Sequence, residues 1–273
     1  MEREPVKAHQ RRIREAVAKR KTDDLFGDWW PKNMSAADCE VRPVSYETAK
    51  KIIEEYEWLG TMPHICLHSY GAFYDNACAG VVTYSPEYCE NLGRWDRFGF
   101  TGKIILLSRG ACVHWAHPHT GSMLIRRSMK MLPKKYRVVT AMVDRRAGEI
   151  GTIYQACGFD YVGAMRAVSG LAPRQPNVVI DGNIVAHRTA KQRYGTASAK
   201  KISKILGYEV ETTPDIDKER YFGFRGSPSE IRRYKKAIAD IIKPYPKRDN
   251  AACPKDEQFP NCESKVQPLE AAP

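Results

Sequence analysis

At 273 residues, with 42% hydrophobic content and 44 Lys and Arg against 32 Asp and Glu, the chain reads as one large globular domain or one domain with extensions. No apolar run nears the roughly 20 residues that span a bilayer, and the charged N-terminus lacks the apolar core of a secretion signal, so a cytoplasmic protein without a membrane partner is expected. The net charge of +12 points to an anionic partner, with nucleic acid favoured, and eight cysteines without a CxxC pair argue against a disulfide scaffold or a standard zinc knuckle.

Residues 1–40 form a basic N-terminal extension, in which Arg11, Arg12, Arg14, Lys19, Arg20 and Lys21 surround Ile13 and Val17. This stretch suits either a basic helix or a disordered arm, and in function either a phosphate-binding extension or a solvated tail. The compact part begins near Val41. Ser45 caps a predicted helix from Tyr46 to Trp58, with Ala49, Ile52, Ile53 and Tyr56 at helical spacing, and Gly60 and Pro63 stop it. Ser69–Tyr74 and Cys78–Tyr84 predict a hairpin around Asp75-Asn76, and residues 85–102 read as a loop. Lys103–Ser108 is a buried strand whose apolar run closes at Arg109; Met123–Leu132 is a helix and Tyr136–Val143 a strand. Glu149–Cys157 is a short helix ended by Gly158, and Phe159–Val162 opens another strand. The order α-β-β-β-α-β-α-β predicts a mixed α/β (α+β) domain over 41–163, a central mixed sheet flanked by helices.

Residues 164–248 form a less regular, basic C-terminal part. Val178–Ile180 and Ile184–His187 flank the hairpin turn Asp181-Gly182-Asn183, and residues 188–206 are rich in Lys and Arg. Lys218–Phe224 reads as a strand. Ser227-Pro-Ser-Glu230 is a capping box opening a helix with Ile231, Tyr234, Ile238 and Ile241 inward and Arg232 and Arg233 outward. Residues 249–273 are polar and Pro-bearing, and a disordered tail is expected there.

Two stretches carry chemistry. In the first, a strand ends at Arg109, a polar connection follows, and Thr120-Gly121-Ser122 opens a helix. Unpaired amides and the helix dipole make that turn an anion seat, and Gly121, without a Cβ, permits close approach. An ordinary N-cap by Thr120 or Ser122 is the plainer alternative. The second stretch, Asp144 to Phe159, supplies the other half of the same site. Between them Cys112, His114, His117 and His119 form the densest set of soft ligands, read either as a metal site or as a histidine-rich connector.

The element order resembles the GNAT acetyltransferase fold over roughly Val41 to Gly163, without a clean Arg/Gln-x-x-Gly-x-Gly/Ala signature. The turn His117-Pro-His-Thr-Gly-Ser122, the block Asp144 … Gly151-Thr-Ile-Tyr-Gln-Ala-Cys-Gly-Phe-Asp-Tyr-Val-Gly163, the segment Lys218–Phe224 and Pro244-Tyr-Pro-Lys247 together resemble the phage Mom DNA-modification proteins. The resemblance implies an acetyl-CoA-dependent enzyme that places a carbamoylmethyl-type group on adenine N6 of double-stranded DNA and so blocks restriction. It carries over Arg109, Asp144 and Tyr154 as catalytic residues and Ser122 as a cofactor-binding one. Around Ser122, His119, Thr120, Gly121 and Met123 are expected to frame the carrier's diphosphate. Iron has been associated with the family. Where the family often has His-Tyr-Ser-Gly, this chain has Glu57-Trp58-Leu59-Gly60, and Glu57 could replace a ligand or a base.

On that reading Tyr154 is either a general acid for the thiolate or a core tyrosine. Asp144 orients or deprotonates the amine, or caps its loop. Arg109 neutralises a phosphate or oxyanion, or pairs with Asp144. Arg188, Arg193, Lys200, Arg232 and Arg233 are expected on DNA phosphates, and Trp58, Tyr84 and Trp95 are candidates to stack a flipped base. Two other functions fit the same residues: a GNAT N-acetyltransferase acting on a protein, a small amine or tRNA, and a non-catalytic basic DNA-binding protein.

Overall fold

The computed structural model describes residues 9–22, 34–87, 93–145, 148–164, 176–180, 183–185, 187–213 and 218–247. The chain runs α1 (His9–Thr22), β1 (Glu40–Pro43), α2 (Tyr46–Tyr56), β2 (His68–Tyr74), β3 (Ala77–Ser85), β4 (Ile104–Cys112), α3 (Thr120–Met131), β5 (Val138–Val143), α4 (Thr152–Ala156) and β6 (Asp160–Ala164). It continues through β7 (Asn177–Ile180), β8 (Asn183–Val185), α5 (His187–Tyr194), α6 (Ala199–Leu206), β9 (Glu211–Thr213), β10 (Glu219–Phe224) and α7 (Pro228–Ala237).

Caps and turns act where their residue types place them. The Ser45 hydroxyl accepts from the Thr48 amide, and Ser227 and Glu230 close a reciprocal capping box. Asp75 and Asn76 both take positive φ, the hairpin geometry that short polar side chains tolerate. The open reading of the N-terminus resolves to a helix, α1. The predicted helix at 149–157 is shorter, because Gly151, with φ +71°, is its N-cap and leaves Glu149 outside. The expected tail, 249–273, and the turn residues 181–182 lie outside the described residues.

The main sheet has seven strands in the order β1-β2-β3-β4-β5-β10-β6, flanked by helices as expected of a GNAT-like mixed sheet. Period-two alternation covers both faces. Ile105, Leu107, Val139, Ala141, Val143 and Tyr221 face one core with α1, α2 and α3, while Ile104, Val138 and Phe222 face a second with Tyr234 and Ile238. The stretch expected as a loop at 85–102 supplies Trp95, Phe98 and Phe100 to that second core.

β4 and β5 are parallel and pair only from Ile104↔Val138 to Leu107↔Ala141. Past that point β4 follows β3 to Cys112, and β5 follows β10 to Val143. The strands part at a bulge. Thr83 faces Arg109 and Tyr84 faces Leu107, so Ser108 is the extra residue that bends β4. Its hydroxyl sits 3.0 Å from Thr83 Oγ1 and 2.8 Å from that of Ser85, pinning the bulge. Arg109 is therefore inside the strand just after the bend, not at its end.

The expected boundary at Gly163 divides the chain differently from its contacts. Described residues 9–164 group with 218–247, because β10 inserts between β5 and β6. Residues 176–213 form a separate unit, with the small sheet β8-β7-β9 and a core of Val178, Ile180, Val185, Ala190, Ile202 and Val210.

Candidate active site

The parting of β4 from β5 leaves edge backbone unpaired and opens a cavity of about 500 Å³. Its walls are Gly110, Ala111 and Cys112 of β4, Pro118, Gly121 and Leu124 at the start of α3, and Glu149 to Tyr154. Gln10, Arg11 and Arg14 of α1 close the remaining side. Of the residues expected at the site, Gly121 and Tyr154 line this space; Arg109, His119, Thr120, Ser122, Met123 and Asp144 are not among its walls.

At the α3 turn, His119 is the exposed N-cap and provides no side-chain cap. The Met123 amide donates to the His119 carbonyl, and the Thr120 amide to that of His117. Among the described residues, the Gly121 and Ser122 amides have no backbone partner, so two amides rather than four are open at this turn. Ser122 Oγ donates to the His119 carbonyl at 3.1 Å, Thr120 is fully buried, and Met123 packs against the core. At Gly121 the close approach is made by the fold's own side chain: a Cβ there would sit 2.8 Å from Ile153 Cδ1.

Tyr154 lies on α4 with its ring 5.7 Å from that of Phe159 and 5.6 Å from that of Tyr221. It packs against the core and also lines the cavity. Burial, then the Glu149 carboxylate, pushes its hydroxyl far above the ordinary phenol range, so it stays protonated. Glu149 was not singled out from the sequence. Its pKa is pushed up to about 7, first by burial and then by the carboxylates of Glu57 and Asp144. Glu57 is also raised by burial, against the charge of Arg109 and the Leu59 and Gly60 amides that its carboxylate accepts.

Asp144 is buried at the end of β5, 3.9 Å from Lys218 Nζ. The alternative that Arg109 pairs with Asp144 fails: Arg109 donates to the Thr61 carbonyl at 2.9 Å and to that of Ser108 at 2.8 Å. Of these three carboxylates only Glu149 lines the cavity; Glu57 and Asp144, like Arg109 and Lys218, lie within electrostatic reach but outside its lining. No spacing rule finds Glu149 and Lys218, which are 69 positions apart.

The histidine cluster does not form a metal site. His114 Nδ1 is 2.7 Å from the Tyr56 hydroxyl, and His117 Nδ1 accepts the His119 amide. Among the described residues, no three His, Cys, Asp or Glu side chains stand together as metal ligands, so these donors do not fit iron. Two base-stacking candidates are also overturned. Tyr84 is fully buried against Ser128, and Trp95 is fully buried in the second core. Trp58 is half-buried in the turn after α2.

Arg232 and Arg233 are exposed on α7, where Arg233 stacks over Tyr234. Arg193 and Lys200 are exposed in the separate smaller unit, and the Arg188 side chain lies outside the described ones. Among the described residues, no helix is long and apolar enough to cross a membrane.

Residues 38–247 match the model of the Mom protein family. No curated protein matches the chain in sequence. Among solved structures, a GNAT family acetyltransferase from Elizabethkingia anophelis with acetyl-CoA bound is similar at TM-score 0.37 and 12% identity, over 69% of this chain and 99% of its own. A Bacillus subtilis acetyltransferase in complex with CoA is similar at TM-score 0.36 and 9% identity, over 69% and 99% of the two chains.

Proposed function

The chain belongs to the Mom protein family, and on that premise we propose that it is an acetyl-CoA-dependent transferase that modifies the N6 amine of adenine in double-stranded DNA. Such an enzyme would act in the cytoplasm of a phage host and protect phage DNA from restriction by an acyl-type group on that nitrogen. The observation that carries the reading is the shared cavity, which Gly121 with its unpaired amide, the parted stretch of β4, the protonated Tyr154 and Glu149 all line.

The residues fit an acyl carrier. The Gly121 and Ser122 amides suit a diphosphate, and the edge of β4 past Gly110, whose own carbonyl already accepts from Gln10, suits an amide-bearing arm. Acetyl-CoA, when bound, supplies an activated acyl group and a thiol leaving group. Tyr154 holds a proton at its hydroxyl for that sulfur. Adenine N6 is a weak nucleophile because its lone pair is delocalised into the ring, so a nearby proton acceptor is needed. Glu149, whose pKa burial pushes up to about 7, is set to take a proton from N6. Lys218 beside Asp144 keeps a compensating charge at the end of β5. Exposed Arg232 and Arg233 on α7 supply phosphate contacts, and Arg193 and Lys200 do so separately from the smaller unit.

The test is a nucleoside digest of DNA from cells expressing the protein, read by mass spectrometry. A modified deoxyadenosine that disappears with Tyr154→Phe supports the proposal. Unchanged adenine in the presence of bound CoA overturns the DNA substrate. One observation favours a second reading: Glu149 in the cavity wall, with the charges of Glu57 and Asp144 within reach of it, suits a cationic amine, as in an N-acetyltransferase on a small amine or protein. Acetylated amine beside unmodified DNA would select it.

A further inference from the structure

The family match begins at residue 38, yet α1, which ends at Thr22, is built into the matched part. Val17 is 1% exposed within the main core, and Ile13 packs beside it. Arg14 donates to the Ala116 carbonyl at 2.8 Å and to that of His114 at 3.3 Å. The Gln10 side-chain amide donates at 2.7 Å to the Gly110 carbonyl in the parted stretch of β4. The cavity of about 500 Å³ persists with α1 in place, so this helix is a wall of the cleft and not a plug.

The wall carries two arginines, of which Arg11 also meets Glu15 on the exposed side at 3.1 Å. Arg11 and Arg14, three residues apart, share a helix face that borders the same cavity as Pro118 and Gly121. The first turn of α1 contains no acidic residue. Arg14 Nε is removed from water and has no hydrogen-bond partner among the described residues. A buried guanidinium donor left unsatisfied is costly, and a ligand oxygen would satisfy it.

We propose that α1 is a binding element of the cleft, in which Arg11 and Arg14 take the phosphate-bearing portion of the acyl carrier. This rests on the reading of the cleft as an acetyl-CoA site. It adds cationic ligands from a segment outside the family match to the amides of α3, and it makes binding depend on the carrier's charge as well as on its arm.

The full chain is titrated calorimetrically with CoA and with pantetheine, which has the same arm and no phosphate. In the double variant Arg11→Gln/Arg14→Gln, CoA affinity is expected to fall about tenfold while pantetheine affinity changes less than twofold. Because Arg14 also docks α1, Arg11→Gln alone is the control that leaves docking intact; about a threefold loss for CoA only is expected. Unchanged CoA affinity in both variants, or an equal loss for pantetheine, overturns the role of α1 alone. A wild-type chain that binds neither compound overturns both this role and the acetyl-CoA reading.

Discussion

Arg220 of β10 holds Glu87 at 2.8 Å, with both side chains almost withdrawn from water at 6% and 2% exposure. The same guanidinium donates to Thr140 Oγ1 at 2.7 Å and lies 5.0 Å from the centre of the Trp95 ring. This pair ties the segment after β3 to the strand that returns from the end of the chain. Removing one partner leaves a buried charge without compensation. Glu87→Ala is expected to cost about 3–5 kcal/mol, read as a lowered thermal midpoint. A midpoint unchanged from wild type would show that the pair is not structural.

Tyr154→Phe keeps the ring contacts with Phe159 and Tyr221 and removes only the hydroxyl. Stability should stay within about 1 kcal/mol of wild type, while transfer falls about a hundredfold or more. The yield of modified nucleoside, alongside a denaturant melt, checks both. Wild-type yield would make this residue a core tyrosine.

Glu149 should impose an acid limb on the transfer rate, rising with pH through about 7, since the proton acceptor must be ionised. Its folded pKa lies above the ordinary value of 4.5, so its stabilising contribution is full below about pH 4.5 and is lost as pH rises through 7. Glu149→Gln should therefore lose the acid limb and most of the rate. At pH 8 the variant should be more stable than wild type, by at most about 3 kcal/mol. A pH–rate profile of Glu149→Gln that retains the wild-type limb would remove Glu149 from the chemistry.

Gly151 combines φ +71° with a position where a Cβ would stand 2.5 Å from Tyr221 Cε2. Gly151→Ala should destabilise by about 2 kcal/mol, from backbone strain and from the displaced ring. Displacement of Tyr221 also threatens its hydrogen bond to the Ile150 carbonyl, next to Glu149. Equilibrium unfolding of the variant gives the number, and a loss below a few tenths of a kcal/mol would contradict it.

DNA affinity should fall steeply with salt, as it does when lysines and arginines displace counterions. Arg232→Gln/Arg233→Gln, on exposed positions of α7, should reduce the slope of log affinity against log salt by about 2. Binding measured between 50 and 200 mM salt tests this, and an unchanged slope would move the DNA seat elsewhere.

Local signals were legible where local physics decides. The Ser45 cap, the Asp75-Asn76 hairpin and the Ser227–Glu230 box act between residues three or fewer positions apart, and all three form as their residue types require. The two-faced alternation in β4, β5 and β10 likewise marked strands buried on both sides. The block from Asp144 to Gly163 also carried the family in its own residues.

What the sequence alone determined is therefore the elements, their caps, the family and the turn at Gly121 that borders the cleft. Tertiary structure decided the rest. The bulge at Ser108 needs the β3 register, the place of β10 needs pairing across the whole chain, and the burial of Tyr84 and Trp95 needs both cores. Glu149 acquires its raised pKa only once folding brings Glu57 and Asp144 near it and excludes water. The reason is range: caps and turns are set by bonds within a few residues, whereas burial, charge coupling and strand partners depend on groups that the fold alone makes neighbours.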